Sequence, residues 1–347
     1  MMDNKKVLLG MSGGVDSTAS AILLKQQGYE VIGATYRLTD DENFEKSISD
    51  AKYSADLIGI DHIVVDYRNE FKDKVISNFI SEYSMGHTPN PCVVCNKNIK
   101  FNQFLKTADK MGIKYVASGQ YANIRENNGR YYIVKARNIA KDQTYFVYSL
   151  KENILDRVIF PMGNMISKDD TRKIVHDAGI KIYNKKDSQE ICFIKNMKYT
   201  DYINANSNIT FKAGNFVDTK GNILGKHSGI INYTIGQRKG LGVTFGKPVF
   251  VVDIDYKNNT VVLGENEDLF KDKLKLSNYT FINEEYDREL NKLTAKIRYA
   301  AKEENVVITK ENDGLLVKFE NPVRAITKGQ SVVFYDGDIL VGGGIIE

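Results

Sequence analysis

Eight residues constrain this chain more than any others: Gly10-Met11-Ser12-Gly13-Gly14-Val15-Asp16-Ser17. The apolar run Val7-Leu8-Leu9 leads into them. Apolar Ala19, Ile22 and Leu23 then recur at helical spacing, and Gly28 ends the pattern. Strand, glycine turn and helix start together predict an anion cradle. Glycines let the backbone approach a ligand and reach positive φ at little cost. The first N–H groups of the helix lack internal partners and point at the turn. The macrodipole adds partial positive charge there, and a phosphate is the natural guest. Ser12 and Ser17 offer hydroxyl donors. Asp16 is expected either to cap the helix or to help hold Mg2+ between phosphate oxygens. An ordinary tight turn needs one glycine, not two serines and an aspartate around Gly-Gly.

The stretch lacks the Gly-Lys-Ser/Thr ending of a Walker loop, and it is not GxGxxG. It resembles the Ser-Gly-Gly-x-Asp-Ser signature of the PP-loop ATP pyrophosphatases. That resemblance implies cleavage of ATP between the α and β phosphates, giving an adenylated substrate and pyrophosphate.

The chain that follows alternates strand and helix. Val31–Thr35, Ile63–Val65 and Tyr115–Gly119 read as strands. Phe44–Leu57, Phe71–Tyr83 and a run from Cys92 to about Met111 read as helices. Such alternation predicts an α/β doubly wound parallel sheet, with ligands at the carboxyl ends of its strands. Asn127-Asn128-Gly129 predicts a hairpin turn. Lys141 to Ala178 reads as helical, with a capping box at Ser167–Asp170 in which Asp replaces the usual Glu. Beyond about Thr210, short β-rich runs separated by Gly, Asn and Asp take over, among them Gly229–Thr234 and Ser331–Tyr335. They predict two small β-barrel domains. The expected division is 1–207, 208–269 and 270–347.

The 347 residues carry three cysteines, too few and too odd in number for a secreted disulfide framework. The start, Met1 to Lys6, opens into a strand rather than a signal-peptide core, and no apolar run approaches a membrane span. A cytoplasmic protein without membrane association is expected. A net charge of +4 is compatible with an RNA partner without requiring one.

The chemistry concentrates in three further stretches. In Gly86-His87-Thr88-Pro89-Asn90-Pro91-Cys92-Val93-Val94-Cys95, two prolines stiffen a loop and Asn-Pro starts a helix. A cysteine at a helix N-terminus has a lowered pKa, so thiolate chemistry is expected here, or else a metal or a disulfide. Cys192 follows Asp187-Ser188-Gln189-Glu190-Ile191 and by itself reads equally as a small buried hydrophobe. Tyr233 to Gly242 brackets Gln237, Arg238 and Lys239 with glycines, a basic loop able to meet phosphates or simply a solvated hairpin tip. His62, His87, His176 and His227 are scattered, and none stands at metal-ligand spacing.

Taken in order, these pieces closely resemble the bacterial tRNA-specific 2-thiouridylases. The matching stretches are Gly10–Ser17, His87–Pro91, Cys95–Lys97, Ile99–Phe101, Lys141–Phe146, Ile191–Phe193, His227–Gly229, Tyr233–Gly242, Lys296–Tyr299, Gly329-Gln330 and Phe334–Gly337. The resemblance implies a mechanism. ATP with Mg2+ adenylates the oxygen on carbon 2 of the wobble uridine, and sulfur then displaces AMP. Cys192 is implied to carry a persulfide received from a sulfur donor or relay protein. Cys95 is implied to release that sulfur and to end in a disulfide with Cys192. Gly10 to Ser17, Tyr36 and Gly119 align with nucleotide-binding positions. Asn90, Pro91, Cys92 and Gln120 align with positions near the target base. Lys141, Asp142, Gln143, Arg298, Tyr299 and Gln330 align with tRNA contacts. The tRNAs implied are those for lysine, glutamate and glutamine.

Three positions depart from the family pattern. Cys92 stands where many members have Asp, Gln120 where His is common, and Gln189-Glu190 where a pair ending in Gly is usual. Cys92 thereby creates a set of three, and Cys92, Cys95 and Cys192 could hold an iron–sulfur cluster. Two other readings compete with tRNA thiolation. A PP-loop ligase acting on a small molecule would explain the glycine turn alone. An RNA-binding protein using ATP or a metal structurally would tolerate loss of Asp16.

Overall fold

A computed structural model describes residues 3–185, 191–242, 246–287, 290 and 292–347. The strands β1 (Asp3–Gly10), β2 (Glu30–Arg37), β3 (Asp61–Asp66) and β4 (Ile113–Ser118) are parallel. A hairpin of β5 (Asn123–Asn127) and β6 (Arg130–Val134) follows, then the two-residue strand β7 (Val158–Ile159). The sheet order is β3-β2-β1-β4-β7. Val7, Leu8 and Leu9 are fully buried, but they serve two cores. Leu8 packs with Phe101 and Phe104, whereas Val7 and Leu9 pack with Ala21 and Leu24. Alternation into two apolar layers is what a parallel strand covered on both faces requires. Helices α1 (Val15–Gln26) and α2 (Glu42–Ile58) follow β1 and β2. Gly10 stands opposite both Ala34 and Ser118, so the glycine turn leaves the sheet between β2 and β4. That is where the strand order reverses, the crevice in which open α/β sheets bind ligands.

Two long helical runs flank this crevice. Residues 68–84 comprise Arg68–Phe71, Lys72–Ile76 and Ser77–Ser84, and residues 91–110 comprise Pro91–Cys95, Asn96–Gln103 and Phe104–Lys110. In both, the middle section is wound as a π-helix, with i→i+5 bonds. Sequence periodicity locates both helices but not their widened turns, which recur at functional sites.

The expected helix from Lys141 to Ala178 is largely absent. Only Lys168–Asp177 is α-helical, and the rest is short 3-10 turns around Thr144–Val147 and Glu152–Arg157. Tyr145, Tyr148, Leu150 and Leu155 are buried, but their anchors include the C-terminal sheet. The Tyr145 hydroxyl donates to the Ser331 carbonyl at 2.9 Å, and the Tyr148 and Ser331 hydroxyls are 3.1 Å apart. A segment anchored by neighbours from another domain follows their surface and not its own helical period.

The β-rich half builds two sheets. The first is β10-β11-β8-β9, from β8 (Gly214–Val217), β9 (Ile223–His227), β10 (Phe250–Asp255) and β11 (Thr260–Gly264). Gly229–Thr234, expected as a strand, is instead a 3-10 turn at Ile230–Asn232 entered through Gly229 at φ 124°. The second sheet runs β12 (Phe270–Phe281), β15 (Gly314–Arg324), β14 (Glu304–Glu311), β13 (Leu293–Lys296), β16 (Ser331–Asp336) and β17 (Ile339–Ile346). Pairing of β12 with β17 closes it into a six-stranded antiparallel barrel. β17 escapes sequence reading because Gly342, Gly343 and Gly344 mask its strand character. They are required there: a Cβ at Gly343 would strike the Val332 carbonyl and the Tyr148 ring. The predicted hairpin forms, with Asn128 at φ 52° and Gly129 at φ 77° as its turn demands. It extends the barrel sheet through β6 and β17 rather than the parallel sheet. Among the described residues, no helix is long and apolar enough to cross a membrane.

Candidate active site

The glycine turn is held rigidly. The Met11 N–H donates to the Ala34 carbonyl at 2.8 Å, and the buried Thr35 hydroxyl donates to the Met11 carbonyl at 2.8 Å. His62 Nε2 lies 2.9 Å from the same hydroxyl. Gly13 has φ 66°, and a Cβ there would come within 2.6 Å of the Ser47 carbonyl. Only glycine satisfies both constraints. Gly14 caps α1 through its backbone, and the Ser17 hydroxyl donates to the Gly14 carbonyl at 3.1 Å. The same oxygen accepts the Ser12 N–H at 3.2 Å. Ser17 therefore staples the turn, while Ser12 stays exposed. Val15 is buried in the core behind the turn, beside Tyr121. A Cβ at Gly119 would sit 3.1 Å from the Ser17 nitrogen, so β4 also ends against the helix start. The next side chain, Gln120, accepts from the Ser118 hydroxyl at 3.3 Å.

Asp16 does not cap the helix. Its carboxylate receives the Tyr121 hydroxyl at 2.9 Å and Lys168 Nζ at 2.7 and 2.8 Å. Lys168 opens the helix Lys168–Asp177, whose start is fixed by Ser167 accepting the Asp170 N–H at 3.1 Å. The capping box holds, but its second bond runs from the Ser167 hydroxyl to the Asp170 carboxylate at 2.7 Å. Lys185 Nζ reaches the Gly13 carbonyl at 2.9 Å and Asp50 at 2.8 Å. Two lysines thus converge on the cradle, and neither stood out in the sequence as a site residue. The capping box placed Lys168 at a helix start, but nothing local aimed it at Asp16.

Tyr36 joins the cradle to the cysteines. A Cβ at Gly10 would collide with the Tyr36 hydroxyl. The ring stacks on Tyr67 and meets Phe104 edge-on at 5.0 Å. Burial pushes the phenol well above its usual pKa, and Tyr67 and Cys95 add to the shift. The hydroxyl therefore stays protonated as a donor.

The Pro loop is clasped from the barrel. The Thr88 N–H donates to the Lys328 carbonyl at 2.8 Å, and Gln330 Nε2 donates to the Thr88 carbonyl at 2.6 Å. His87 Nδ1 lies 2.9 Å from Glu82. Asn90 caps the helix by accepting the Cys92 N–H at 3.1 Å, with Pro91 as its first residue.

Cys92 and Cys192 are exposed, and Cys95 is buried; all three are free thiols. The expected lowered thiol pKa is overturned at Cys95 and Cys192. Burial pushes Cys95 up to about 12, with nearby Cys192 and Cys92 adding to the rise and Lys100 opposing it. Cys192 is open on one side yet crowded on the others, and desolvation pushes it up to about 11. Cys92 adds to that rise, while Lys100 and Lys195 oppose it. The physical reason is position: Cys95 closes the helical turn Pro91–Cys95 and faces a core with Phe71 and Phe79, not the helix N-terminus. The thiols are thus neighbours, 97 residues apart in sequence for the outer pair. Among the described residues, no three Cys, His, Asp or Glu side chains are gathered as metal ligands. The arrangement does not fit an iron–sulfur cluster, and no step is routed through one. Gln189 and Glu190 lie outside the described residues.

The remaining positions surround this centre. Asn96 Nδ2 donates to the Phe146 carbonyl at 2.9 Å, and the Phe146 ring lies 4.5 Å from Tyr299. Arg298 and Tyr299 are exposed. Asp142 turns inward instead: its carboxylate accepts the Ala136 N–H at 2.9 Å and the Thr144 hydroxyl at 2.5 Å. Gln143 accepts the Tyr121 N–H at 3.0 Å, and Lys141 is partly exposed beside them.

Three family models match in succession: a tRNA methyl transferase HUP domain over residues 5–196, a tRNA methyl transferase PRC-barrel domain over 202–265, and an aminomethyltransferase beta-barrel domain over 271–346. The tRNA-specific 2-thiouridylase MnmA of Clostridioides difficile is 51% identical, covering 100% of this chain and 99% of that protein. The chain belongs to the tRNA-specific 2-thiouridylase family. Another 2-thiouridylase, from Clostridium acetobutylicum, is 49% identical over 99% of this chain and 100% of its own. Set within that family, the stapled glycine turn and the neighbouring thiols occupy the same crevice.

Proposed function

We propose that this 2-thiouridylase family member replaces the oxygen on carbon 2 of a tRNA wobble uridine with sulfur, at the expense of ATP. The domain descriptions speak of methyl transfer and the relatives' names of thiolation. One observation favours thiolation: the Tyr36 hydroxyl lies over Gly10, at the end of the phosphate cradle, and within charge reach of the Cys95 thiol. Nucleotide activation and sulfur chemistry therefore share one space.

ATP enters with Mg2+, its phosphates on the turn Gly10–Ser17 and its nucleoside bounded by Tyr36 and Gly119. Mg2+ neutralises phosphate charge, and Asp16 is the carboxylate of suitable chemistry at the turn. The uridine oxygen attacks the α-phosphorus and pyrophosphate leaves, which turns a poor leaving group into a good one. Lys168 meets the charge on the departing phosphates. Cys192 carries a persulfide. The Cys95 thiolate attacks its inner sulfur, forming the Cys95–Cys192 disulfide and expelling hydrosulfide. Hydrosulfide attacks carbon 2 and AMP leaves. A dithiol reductant restores both thiols. Lys100, facing both cysteines, lowers the cost of each thiolate.

The flipped base is bounded by Asn90, Pro91, Cys92 and Gln120. Lys141, Gln143, Arg298, Tyr299 and Gln330 meet the RNA, with Asp142 shaping the loop between them. The substrates proposed are the tRNAs for lysine, glutamate and glutamine, the sulfur source is a persulfide-bearing protein, and the compartment is the reducing cytoplasm. The functional units are residues 1–207, 208–269 and 270–347.

The test is mass analysis of nucleosides from unmodified tRNA incubated with the protein, ATP and a sulfur source. The expected products are 2-thiouridine, AMP and pyrophosphate. AMP formation stimulated by a small molecule without RNA, and no 2-thiouridine, would overturn the reading.

A further inference from the structure

Cys192 lies between two surfaces. Its inner side faces Cys92, Cys95 and, through Tyr36, the cradle. On its outer side a groove of about 1030 Å3 opens between residues 191–201 and the turn region 228–240. Ile191 and Ile194, flanking the cysteine turn, line it, as do Tyr199 and Tyr233. Its walls are fixed. The Tyr199 hydroxyl donates to the Ile231 carbonyl at 2.8 Å, and its ring lies 4.7 Å from Tyr83. Phe193, next to Cys192, packs edge-on against Phe71 and Phe79. A preformed cleft of this size with an apolar floor is a binding site by ordinary criteria.

Its mouth has a distinct character. Met197 is 52% exposed beside exposed Lys198. On the opposite lip stand exposed Arg238 and Lys239, next to the lining residue Gly240. Their loop is held in place: Gln237 accepts the Thr234 N–H at 3.0 Å and donates to the Lys239 carbonyl at 3.1 Å. Lys195 adds a further cation, 5.5 Å from the Phe44 ring.

We propose that this groove seats the protein that delivers sulfur, through an acidic segment with an apolar anchor next to its persulfide cysteine. The inference rests on the thiolation reading above. Delivery demands that a donor sulfur reach Cys192 from the exposed side, and this groove adjoins that side. The Cys192 thiolate attacks the outer sulfur of the donor persulfide. A new S–S bond forms at Cys192, the donor's own S–S bond breaks, and the donor leaves as a thiolate that takes up the Cys192 proton. No net oxidation occurs. An apolar floor beneath a basic mouth matches such a segment better than an RNA backbone, which asks for phosphate donors along its whole length.

Two charge-reversal variants test opposite lips: Met197→Asp with Lys198→Glu, and Arg238→Glu with Lys239→Glu. Each alters exposed side chains away from the cradle and the thiols. Two quantities are read: 2-thiouridine in cellular tRNA when the variant is the sole copy, and thiolation by the purified variant with ATP, tRNA and sodium sulfide. Free sulfide bypasses delivery. Cellular 2-thiouridine is expected to fall at least about tenfold while the sulfide-driven rate is kept, because lip charges govern partner encounter. A parallel fall in both, with weaker tRNA binding, would assign the groove to RNA and overturn the proposal. Unchanged cellular 2-thiouridine in both variants would overturn it too. If the unaltered protein makes no 2-thiouridine from sulfide, ATP and tRNA, the thiolation reading itself fails and the groove proposal falls with it.

Discussion

Lys168 Nζ bonds both carboxylate oxygens of Asp16, at 2.7 and 2.8 Å, across 152 residues of sequence. The pair sets a cation beside the backbone N–H groups of the glycine turn. A bound polyphosphate competes with Asp16 for that cation. Lys168→Ala is expected to lower kcat/KM for ATP by about a hundredfold, the typical worth of a charged donor at a developing anion. Lys168→Arg should recover part of it. ATP-dependent AMP release, measured against both substrates, checks this.

The two thiols of the transfer step have separate roles. Cys192→Ala and Cys95→Ser are each expected to abolish 2-thiouridine while leaving tRNA binding intact, as read by nucleoside mass analysis and a binding assay. Cys192→Ala should also block uptake of labelled persulfide sulfur, whereas Cys95→Ser should trap it on the protein.

Burial holds the folded thiols at about 12 for Cys95 and about 11 for Cys192, above the roughly 8.5 of a free cysteine. A raised thiol pKa means the folded state keeps its proton longer than the unfolded one. The resulting stability is complete below about pH 8.5 and disappears as pH rises through the folded values. Tm should therefore fall between about pH 9 and 11, and less steeply when both cysteines are alanine. Thermal unfolding across that range measures it.

Lys100 opposes the rise at both thiols. In an α-helix, residues five apart point in different directions; across the widened turns of Asn96–Gln103 they approach one face. Lys100→Ala should slow alkylation of Cys192 at fixed pH by several-fold, roughly the effect of one screened charge. Lys100→Arg should restore the rate. Equal rates in all three proteins would remove Lys100 from the transfer step.

The buried Thr35 hydroxyl anchors the Met11 carbonyl. Thr35→Val preserves shape but leaves that carbonyl without its partner, costing about 1–3 kcal/mol. Thr35→Ser keeps the hydroxyl and should retain most of the stability. Denaturant unfolding gives the cost, and the KM for ATP should rise in the valine variant alone.

Much of the centre can be read along the chain. Gly10–Ser17 announces a phosphate cradle because strand, glycines and helix start are contiguous, and a local motif needs no distant partner. The Pro loop declares its helix start because Asn90 and Pro91 are themselves the cap. The hairpin at Asn128-Gly129 follows from the positive φ that its turn requires. What failed was non-local. Asp16 reads as a cap until Lys168 and Tyr121 arrive. Residues 141–157 read as helix until Ser331 holds Tyr145 and Tyr148. Cys95 reads as a low-pKa thiol because its neighbours in sequence are a helix start, whereas its neighbours in space are Phe71, Phe79 and Cys192.

Local chemistry decided where phosphate sits, where helices begin and which residues carry sulfur, since each depends on atoms a few bonds apart. Folding decided the rest: that Cys192 reaches Cys95, that Gln330 clasps Thr88, and that Tyr36 stands between nucleotide and thiol. Those relations depend on which surfaces exclude water together. Burial of that kind sets thiol pKa values and ion pairs, and no stretch of the chain specifies it alone.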